Sequence, residues 1–494
     1  MRRLPYLLPI LALCLSLTAA AQPQQPGPYT DSRDLPDTPA VKRGQELLEV
    51  LKSGDSGRLR SFAKDNFATS FLEQIPLDEH VDVLSQFAET ARHLQLHGVR
   101  TYDPPRPDTQ AVLILRNNLS EAWQAIVVQV EEEAPHKISS LQVSPARPPS
   151  DLPPPEPLSQ EEAVEKFSQY MKRLADEDQF SGTVLIARDD EILYEGAFGE
   201  ADMGHHVPNN LDTRFNLGSM NKMFTAVAIG QLAEQGKLSF DDPISKYLDE
   251  SWLPKEMADK VQIKHLLTHT SGLGSYFNEE FMYSSRLKFR ELDDYKPLVQ
   301  GETLAFEPGT KSAYSNTGFL LLGPIIEKAS GQNYFDYIRE RIYGPAGMTG
   351  SDSYALDEIV ENLATGYYRE GGEWKNNSFL HVLRGGPAGG GYSTVRDLHR
   401  FAEALRSDKL LSSATRDVLW AAKPELSSPT YGYGFGIQEI AGEKVVGHGG
   451  GFPGINSDLN IFTDSGYTIA VMSNRSGGAN GPVSRAQALL GSIK

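Results

Sequence analysis

The sequence has almost no cysteine, no surplus of positive charge and few long apolar runs. Its single cysteine, Cys14, lies within the first 21 residues, so the rest of the chain can form no disulfide, cysteine nucleophile or thiolate metal site. A formal net charge of -18 leaves no basic surplus to neutralise phosphates, which argues against nucleic-acid binding. After residue 21 no apolar stretch is long enough to span a bilayer, so we expect no transmembrane anchor.

What the chain does contain is enough material for two domains. It has 494 residues, of which 39% are hydrophobic and 23% are charged. Residues 1–21 combine two arginines, an apolar run and three alanines, which is typical of an export signal. Cys14 partly matches a lipoprotein signal, but the bulky Leu13 stands where that signal has a small residue. We therefore predict a cleaved signal peptide and a periplasmic or secreted protein.

A proline-rich segment separates the two predicted domains. Seven prolines between Ser144 and Leu158 predict a semi-rigid linker over residues 146–158. Before it, Thr38 has the features of a helix N-cap and strand-like segments follow, which predicts a small α+β accessory domain over residues 38–145. Its order of elements resembles the nuclear-transport-factor-2-like cone. That resemblance implies no catalytic residues in this domain.

Residues 159–494 have strand-like segments near both ends and are mainly helical between about 220 and 405. Ser159 and Glu162 form a capping box that predicts the first helix of this domain. A sheet assembled from both ends of one segment requires the middle to be inserted as a helical subdomain. Clefts between such halves are common places for sites.

The first candidate for chemistry is the S-x-x-K pattern of Ser219 and Lys222, at the start of a predicted helix. Residues three apart share a helical face, so the lysine amine can act as a base beside a serine nucleophile. The pattern also occurs at Ser61–Lys64 and Ser285–Lys288, and the alternative for each match is a surface lysine near a helix cap. The apolar surroundings set Ser219 apart, because a buried lysine needs partners and a lowered pKa.

A second candidate is the Y-x-N pattern of Tyr314 and Asn316, just before an apolar helix. The phenol can transfer a proton, and the amide can orient a substrate carbonyl or the lysine. Tyr276–Asn278 also matches, so the pattern alone is unspecific. The alternative is a loop tyrosine packed on the core.

A third candidate is His448 with the glycines Gly449, Gly450 and Gly451, after a predicted strand over residues 444–447. Successive glycines let a backbone approach a ligand closely and present N–H groups to an oxyanion. Lipases of the α/β-hydrolase fold also have an H-G-G-G run, followed by a G-x-S-x-G nucleophile motif. This sequence has no G-x-S-x-G, which excludes that fold.

In this order, the three patterns resemble the serine β-lactamase-related superfamily, which includes class C β-lactamases, D-Ala-D-Ala carboxypeptidases, D-aminopeptidases and esterases. The resemblance runs from about residue 180 to the C-terminus. It implies a β-lactamase/transpeptidase-like domain, with an antiparallel sheet flanked by terminal helices and an inserted helical subdomain. The segments that carry the resemblance are residues 215–225, 238–243, 263–272, 306–309, 314–318, 388–397 and 448–451.

The resemblance also implies roles for the candidate residues. Ser219 corresponds to the nucleophile, Lys222 and Tyr314 to the proton-transfer pair, and Asn316 to a contact of the substrate or the lysine. Which member of the pair is the base stays open. The backbone N–H groups of Ser219 and Gly451 resemble the oxyanion hole.

His448 departs from the pattern, because many members have the lysine of K-T-G at this position. That lysine offers a permanent cation to a carboxylate, whereas a histidine is mostly neutral at pH 7. We therefore predict a serine hydrolase without cofactor that cleaves an ester or amide, such as a short ester or a D-amino-acid peptide, through an acyl-enzyme. A β-lactamase, or a homologue without turnover that binds peptidoglycan fragments or a protein partner, are the alternatives. No oligomeric state is predicted.

Two other features have competing interpretations. His265 and His269 have a spacing that suits zinc on one helical face, but no glutamate follows His265 as in H-E-x-x-H, so we predict structural roles and no metal. The segment over residues 273–299 is rich in aromatic residues. It is either core of the helical subdomain or a lid over the substrate pocket, and we favour the lid.

Overall fold

The computed structural model describes residues 29–153, 156–370 and 372–493. They form two compact units, divided between Pro155 and Glu156. The predicted signal peptide over residues 1–21, including Cys14, lies outside the described residues. Among the helices that are described, none has the length and apolar character needed to cross a membrane.

The first unit is built on an antiparallel five-stranded sheet whose strands follow in sequential order. Its first helix begins after Thr38, whose side chain accepts a hydrogen bond from the backbone of Val41, and packs on the two strands β3 and β4. The unit also includes a strand before the predicted start at residue 38. Its elements are β1 Tyr29–Ser32, α1 Pro39–Ser53, α2 Ser56–Asn66, α3 Thr69–Leu72, α4 Leu77–Ala91, β2 Leu94–Tyr102, β3 Gln110–Asn117, β4 Trp123–Val130 and β5 Ile138–Pro145.

The first residues of the predicted linker are held on this unit. Asp31 is buried and accepts two hydrogen bonds from the guanidinium of Arg100, at 2.9 and 3.1 Å. The Asp31 carboxylate also accepts from the backbone N–H of Ser150 at 2.8 Å, and Arg100 donates to the carbonyl of Arg147. Because this buried ion pair also satisfies backbone groups, it fixes residues 147–150 against β1 and β2.

The second unit contains a larger sheet, terminal helices and a mainly helical middle. Its elements are α5 Gln160–Asp176, β6 Gly182–Arg188, β7 Glu191–Phe198, β8 Glu200–Asp202, β9 Val207–Pro208, β10 Phe215–Asn216, α6 Asn221–Glu234, α7 Lys255–Ala258, α8 Ile263–Leu267, α9 Glu279–Tyr283, α10 Lys296–Val299, α11 Asn316–Ser330, α12 Tyr334–Ile338, α13 Gly344–Ala346, β11 Tyr367–Glu370, β12 Glu373–Asn376, β13 Tyr392–Ser393, α14 Val395–Arg406, α15 Ser413–Leu419, β14 Gly436–Ile440, β15 Glu443–Phe452, β16 Ile455–Phe462, β17 Tyr467–Ser473 and α16 Asn480–Leu490.

The large sheet has the strand order β14-β15-β16-β17-β6-β7, so it joins strands from the two ends of the unit. Helices α5 and α16 pack on each other and on this sheet, and the capping box of Ser159 and Glu162 starts α5. The predicted antiparallel sheet with terminal helices and an inserted helical part is confirmed. Within the inserted part, α6 packs against α11 and brings the S-x-x-K and Y-x-N segments together.

The glycine segment differs from the prediction. The strand predicted over residues 444–447 continues to Phe452, so His448 and the three glycines belong to β15 and pair with β16 rather than forming a loop. Strand β14 pairs with β15 only as far as Gly447. The edge of residues 448–452 opposite β16 is therefore not covered by β14.

Candidate active site

A tight turn places Ser219 at the start of α6. Gly218 has φ +51, its N–H donates to the side chain of Asn216 at 2.9 Å, and its carbonyl accepts from Gly390 at 3.0 Å. A side chain at position 218 would meet the backbone nitrogen of Gly451 at 3.0 Å. Glycine therefore permits both the left-handed turn and its close approach to β15.

Lys222 is fully buried, and its amine contacts three oxygen atoms. Nζ lies 3.2 Å from Ser219 Oγ, 3.0 Å from Asn316 Oδ1 and 2.5 Å from the carbonyl oxygen of Ala388. Burial lowers the pKa of Lys222 well below its usual value, which favours the neutral amine. The amide and carbonyl oxygens can only accept, so they take its two N–H groups, and the Ser219 hydroxyl donates to its lone pair.

Tyr314 contacts the same serine oxygen from another direction. Its hydroxyl donates to Ser219 Oγ at 2.7 Å. The residue is 42% exposed, but its hydroxyl points into the site, and desolvation raises the pKa of Tyr314 while the hydrogen bond to Ser219 opposes this shift. Burial therefore favours the protonated phenol of Tyr314 and the neutral amine of Lys222.

Asn316 is the first residue of α11, where the Ser315 side chain caps the helix by accepting from Gly318 at 2.8 Å. The Asn316 amide oxygen accepts from Lys222, and its Nδ2 lies 3.4 Å from Ser275 Oγ, to which it donates. These two contacts orient the amide, so its oxygen faces the lysine.

His448 lies on β15 with both ring nitrogens engaged. Nδ1 contacts the carbonyl of Gly449, and Nε2 lies 2.9 Å from the hydroxyl of Tyr431. Because a carbonyl only accepts, Nδ1 carries the proton and the Tyr431 hydroxyl donates to Nε2. Burial lowers the pKa of His448 to about 4. The ring is therefore neutral at pH 7 and offers no cation.

The three glycines after His448 lie in different surroundings. A side chain at Gly450 would lie 1.9 Å from the carbonyl oxygen of Leu217, so this glycine allows β15 to pack under the serine turn. Gly449 lies beside the carboxylate of Asp458, whereas a side chain at Gly451 would meet open space. Of the three, Gly451 combines an open surface with proximity to the serine turn.

The other matches to these patterns lie elsewhere. Ser61, Lys64, Ser285 and Lys288 are all exposed, and Ser61 belongs to the first unit. Tyr276 is buried and packs against core aromatic rings, as its alternative interpretation proposed.

The aromatic segment is mostly core. Phe281 and Tyr295 are buried with Tyr276, so the lid interpretation is wrong for these residues, because they pack on one another. One ring does approach the site: Phe277 lies 5.7 Å from Phe452, the residue after Gly451.

Each histidine of the zinc hypothesis uses its Nδ1 to accept a backbone N–H. His265 Nδ1 accepts from the backbone of Gln262 at 3.1 Å and caps α8. Among the described residues, no three His, Cys, Asp or Glu side chains are grouped so that they could hold a metal ion.

Comparison with known proteins identifies the family. A family model described as Beta-lactamase matches residues 166–492, about two thirds of the chain. The chain belongs to the beta-lactamase family. It is a serine hydrolase of that family's type.

Relatives and solved structures agree with this assignment. Penicillin-binding protein 4* of Bacillus subtilis (strain 168) is 34% identical over 319 residues, which cover 61% of this chain and 70% of the relative. D-aminopeptidase of Brucella anthropi is 27% identical over 60% of this chain and 57% of its own length. A penicillin-binding protein structure from Bacillus halodurans has a TM-score of 0.59 at 33% identity, covering 66% of this chain and 98% of the other.

Four groups of the candidate site were not predicted from the sequence patterns. They are the carbonyl of Ala388, the hydroxyl of Ser275, His269 and Tyr431. Ala388 and His269 lie in segments that carry the resemblance, but a carbonyl oxygen has no side-chain signature. The sequence predicted a structural role for His269 but gave no sign that this role concerns Tyr314.

Proposed function

We propose that this protein is an exported hydrolase that cleaves an ester or amide through an acyl-enzyme on Ser219. The observation that carries the proposal is the arrangement around Lys222, which is buried, favours the neutral state and is bound by two acceptors that leave its lone pair to the serine. A nucleophile with such a base beside it is activated without a metal ion.

In the acylation step, Ser219 Oγ attacks the substrate carbonyl while its proton moves to Lys222 Nζ. The backbone N–H groups of Ser219 and Gly451 stabilise the oxyanion, because the backbone nitrogen of Gly451 lies next to the turn that carries Ser219. The Tyr314 hydroxyl, 2.7 Å from Oγ, then protonates the leaving group and regains a proton from Lys222. The bond to the leaving group breaks, and the ester to Ser219 remains.

Deacylation uses the same groups in reverse. Lys222 is neutral again and takes a proton from a water that attacks the acyl carbonyl, while Ser219 Oγ recovers a proton as it leaves. Asn316 keeps the lysine oriented through both steps, because its amide oxygen holds one N–H of the amine.

The state of His448 bears on the substrate. With a pKa lowered to about 4 and both nitrogens engaged, this side chain supplies no positive charge for a carboxylate next to the scissile bond. Substrates that are neutral there, such as short esters or D-amino-acid amides and peptides, fit this surface better than penicillins. A cleft of about 510 Å³ beside Tyr314 has room for a small substituent.

Two further observations support the proposal. Relatives include a D-aminopeptidase, and a D-amino acid amidase from Ochrobactrum anthropi SV3 complexed with L-phenylalanine amide has a TM-score of 0.56 at 25% identity, covering 66% of this chain and 97% of that one. The charge and apolar pattern of residues 1–21 supports export.

The test is turnover of p-nitrophenyl acetate, a D-amino-acid amide and nitrocefin by the wild-type protein and by Ser219→Ala. We expect the wild type to hydrolyse the ester or the amide faster than nitrocefin, and the variant to hydrolyse none of them. Wild-type turnover by Ser219→Ala would overturn the proposal. Tight binding of peptidoglycan fragments without turnover of any of the three compounds would instead favour the binding homologue.

A further inference from the structure

A single buried histidine holds the segment that carries Tyr314. His269 is 4% exposed, and its carbonyl accepts from the backbone N–H of Ala313 at 2.9 Å. Its Nδ1 accepts from the backbone N–H of Ser315 at 3.1 Å. The residues on both sides of the tyrosine are thus tied to the same histidine.

The ring of His269 also supports the tyrosine directly. Its centroid lies 4.2 Å from the Tyr314 ring at an angle of 34°. Phe319 and Tyr431 pack on the same imidazole, at 5.0 and 4.9 Å, so the ring is enclosed by aromatic groups. Backbone and side chain of residue 269 therefore fix the position of the phenol together.

Two features of His269 are expected to destabilise the fold. Its φ of +59° is uncommon for a residue with a side chain, and such strain is concentrated at functional sites. Its Nε2 is buried and has no hydrogen-bond partner within the part of the chain that the structure describes. Unsatisfied buried donors destabilise a fold, so packing alone gives no reason to place a histidine here.

The electrostatic surroundings keep this ring neutral. Burial lowers the pKa of His269 well below its usual value. Because Nδ1 accepts from Ser315, the neutral ring carries its proton on Nε2. A protonated ring would lose this acceptor and release the Ser315 backbone.

We propose that His269 is a positioning residue that sets the distance between the Tyr314 hydroxyl and Ser219 Oγ. This inference rests on the proposed function, in which Tyr314 transfers the proton to the leaving group. His269 touches neither the nucleophile nor the substrate in this scheme, and its effect on turnover passes through Tyr314.

The test is a double-mutant cycle with His269→Asn and Tyr314→Phe, measured as kcat and KM on a short-chain alkyl ester, because an alkoxide leaving group needs the proton that Tyr314 donates. Asparagine tolerates a positive φ and keeps an acceptor, but it removes the ring under the phenol. A small misplacement of reacting groups can cost about 100-fold, so we expect His269→Asn to lower kcat by about 10- to 100-fold with KM little changed. In the Tyr314→Phe background, the same substitution lowers kcat less than about threefold, since coupled residues are not additive.

Three results would overturn the inference: an unchanged kcat in His269→Asn, equal losses in the two backgrounds, or full turnover by Tyr314→Phe. The last result would also remove Tyr314 from the proposed function, whereas the first two leave that function intact. If His269→Asn does not fold, His269→Gly takes its place in the cycle, because glycine adopts the positive φ without strain and also removes the ring.

His265 provides a matched control. It is also a buried histidine whose Nδ1 accepts a backbone N–H, but that N–H belongs to Gln262 at the start of α8. We expect His265→Asn to lower the melting temperature without coupling to Tyr314→Phe. Coupling of His265→Asn as large as that of His269→Asn would show a general packing effect and contradict the positioning role.

Discussion

The S-x-x-K pattern occurs at Ser219–Lys222 and at Ser285–Lys288, in opposite environments. Lys222 is completely buried, with its amine against Ser219, Asn316 and Ala388. Ser285 and Lys288 are exposed, so water solvates the lysine charge. Burial changes the chemistry of the pair, because it lowers the pKa of Lys222 and favours an amine that can accept a proton.

The largest expected difference between the two sites is the effect of truncation. We predict that Ser219→Ala and Lys222→Ala each reduce kcat on p-nitrophenyl acetate by at least about 1,000-fold, as for other paired nucleophile and base groups. Ser285→Ala and Lys288→Ala leave kcat within about twofold of wild type, since surface substitutions have small effects. The measurement is steady-state kinetics of all four purified variants. A large loss of kcat in Ser285→Ala would contradict the prediction.

We expect activity to depend on pH through the protonation state of Lys222. Lys222 must be neutral to take the serine proton, so activity is present above its pKa and is lost as the pH falls through that value. Because burial lowers the pKa of Lys222, we expect full activity well below pH 10, where an ordinary lysine side chain is still charged. A profile of kcat/KM that rises about tenfold per pH unit up to pH 10 would contradict the assignment of Lys222 as base.

A smaller effect on kcat/KM is expected from introducing a cation on β15. His448→Lys should raise kcat/KM on anionic nitrocefin relative to p-nitrophenyl acetate by about tenfold, the size of one charge-assisted hydrogen bond. The neutral control is His448→Gln, which should leave that ratio close to the wild-type value, because His448 with a pKa of about 4 is itself neutral at pH 7. A wild-type rate on nitrocefin far above that on the ester would show that the neutral His448 does not disfavour anionic substrates.

The smallest effect is expected from removing the first unit, which contains the exposed Ser61–Lys64 match. We propose that residues 38–145 are an accessory domain, so a protein that starts near Pro157 should melt cooperatively and retain its turnover of a small ester. Thermal melting and ester kinetics of the truncated protein test this. Insolubility, or a collapse of turnover with a cooperative melt, would mean that the first unit completes the core or the site.

Much of the second unit could be predicted from the sequence, because local signals and global fold agree there. The capping box at Ser159, the strands at residues 191–198 and 467–473, and the buried helix after Ser219 are all present. Strands β1 and β2 were not predicted, since β1 is short and polar residues such as His97 and Arg100 interrupt β2. Their pairing is stabilised by distant contacts, including the ion pair of Arg100 with Asp31.

The structure brings together side chains that the sequence singled out, but the groups that support them were not predictable. Ser219, Lys222, Tyr314 and Asn316 carry chemistry in their side chains, so patterns point to them. The extension of β15 through Gly451 was missed because successive glycines are poor strand formers, and only the close approach of the serine turn explains them. The role of His269 depends on three-dimensional stacking that no spacing encodes.

Of the three serines in S-x-x-K patterns, we expect Ser219 alone to act as a nucleophile. The most direct measurement is mass spectrometry of the intact protein after exposure to a fluorophosphonate, followed by peptide mapping. We expect one adduct per chain, on the peptide that contains Ser219, and none on Ser219→Ala or on the peptide that contains Ser285. An adduct that persists in Ser219→Ala, or an unmodified wild-type protein, would contradict it.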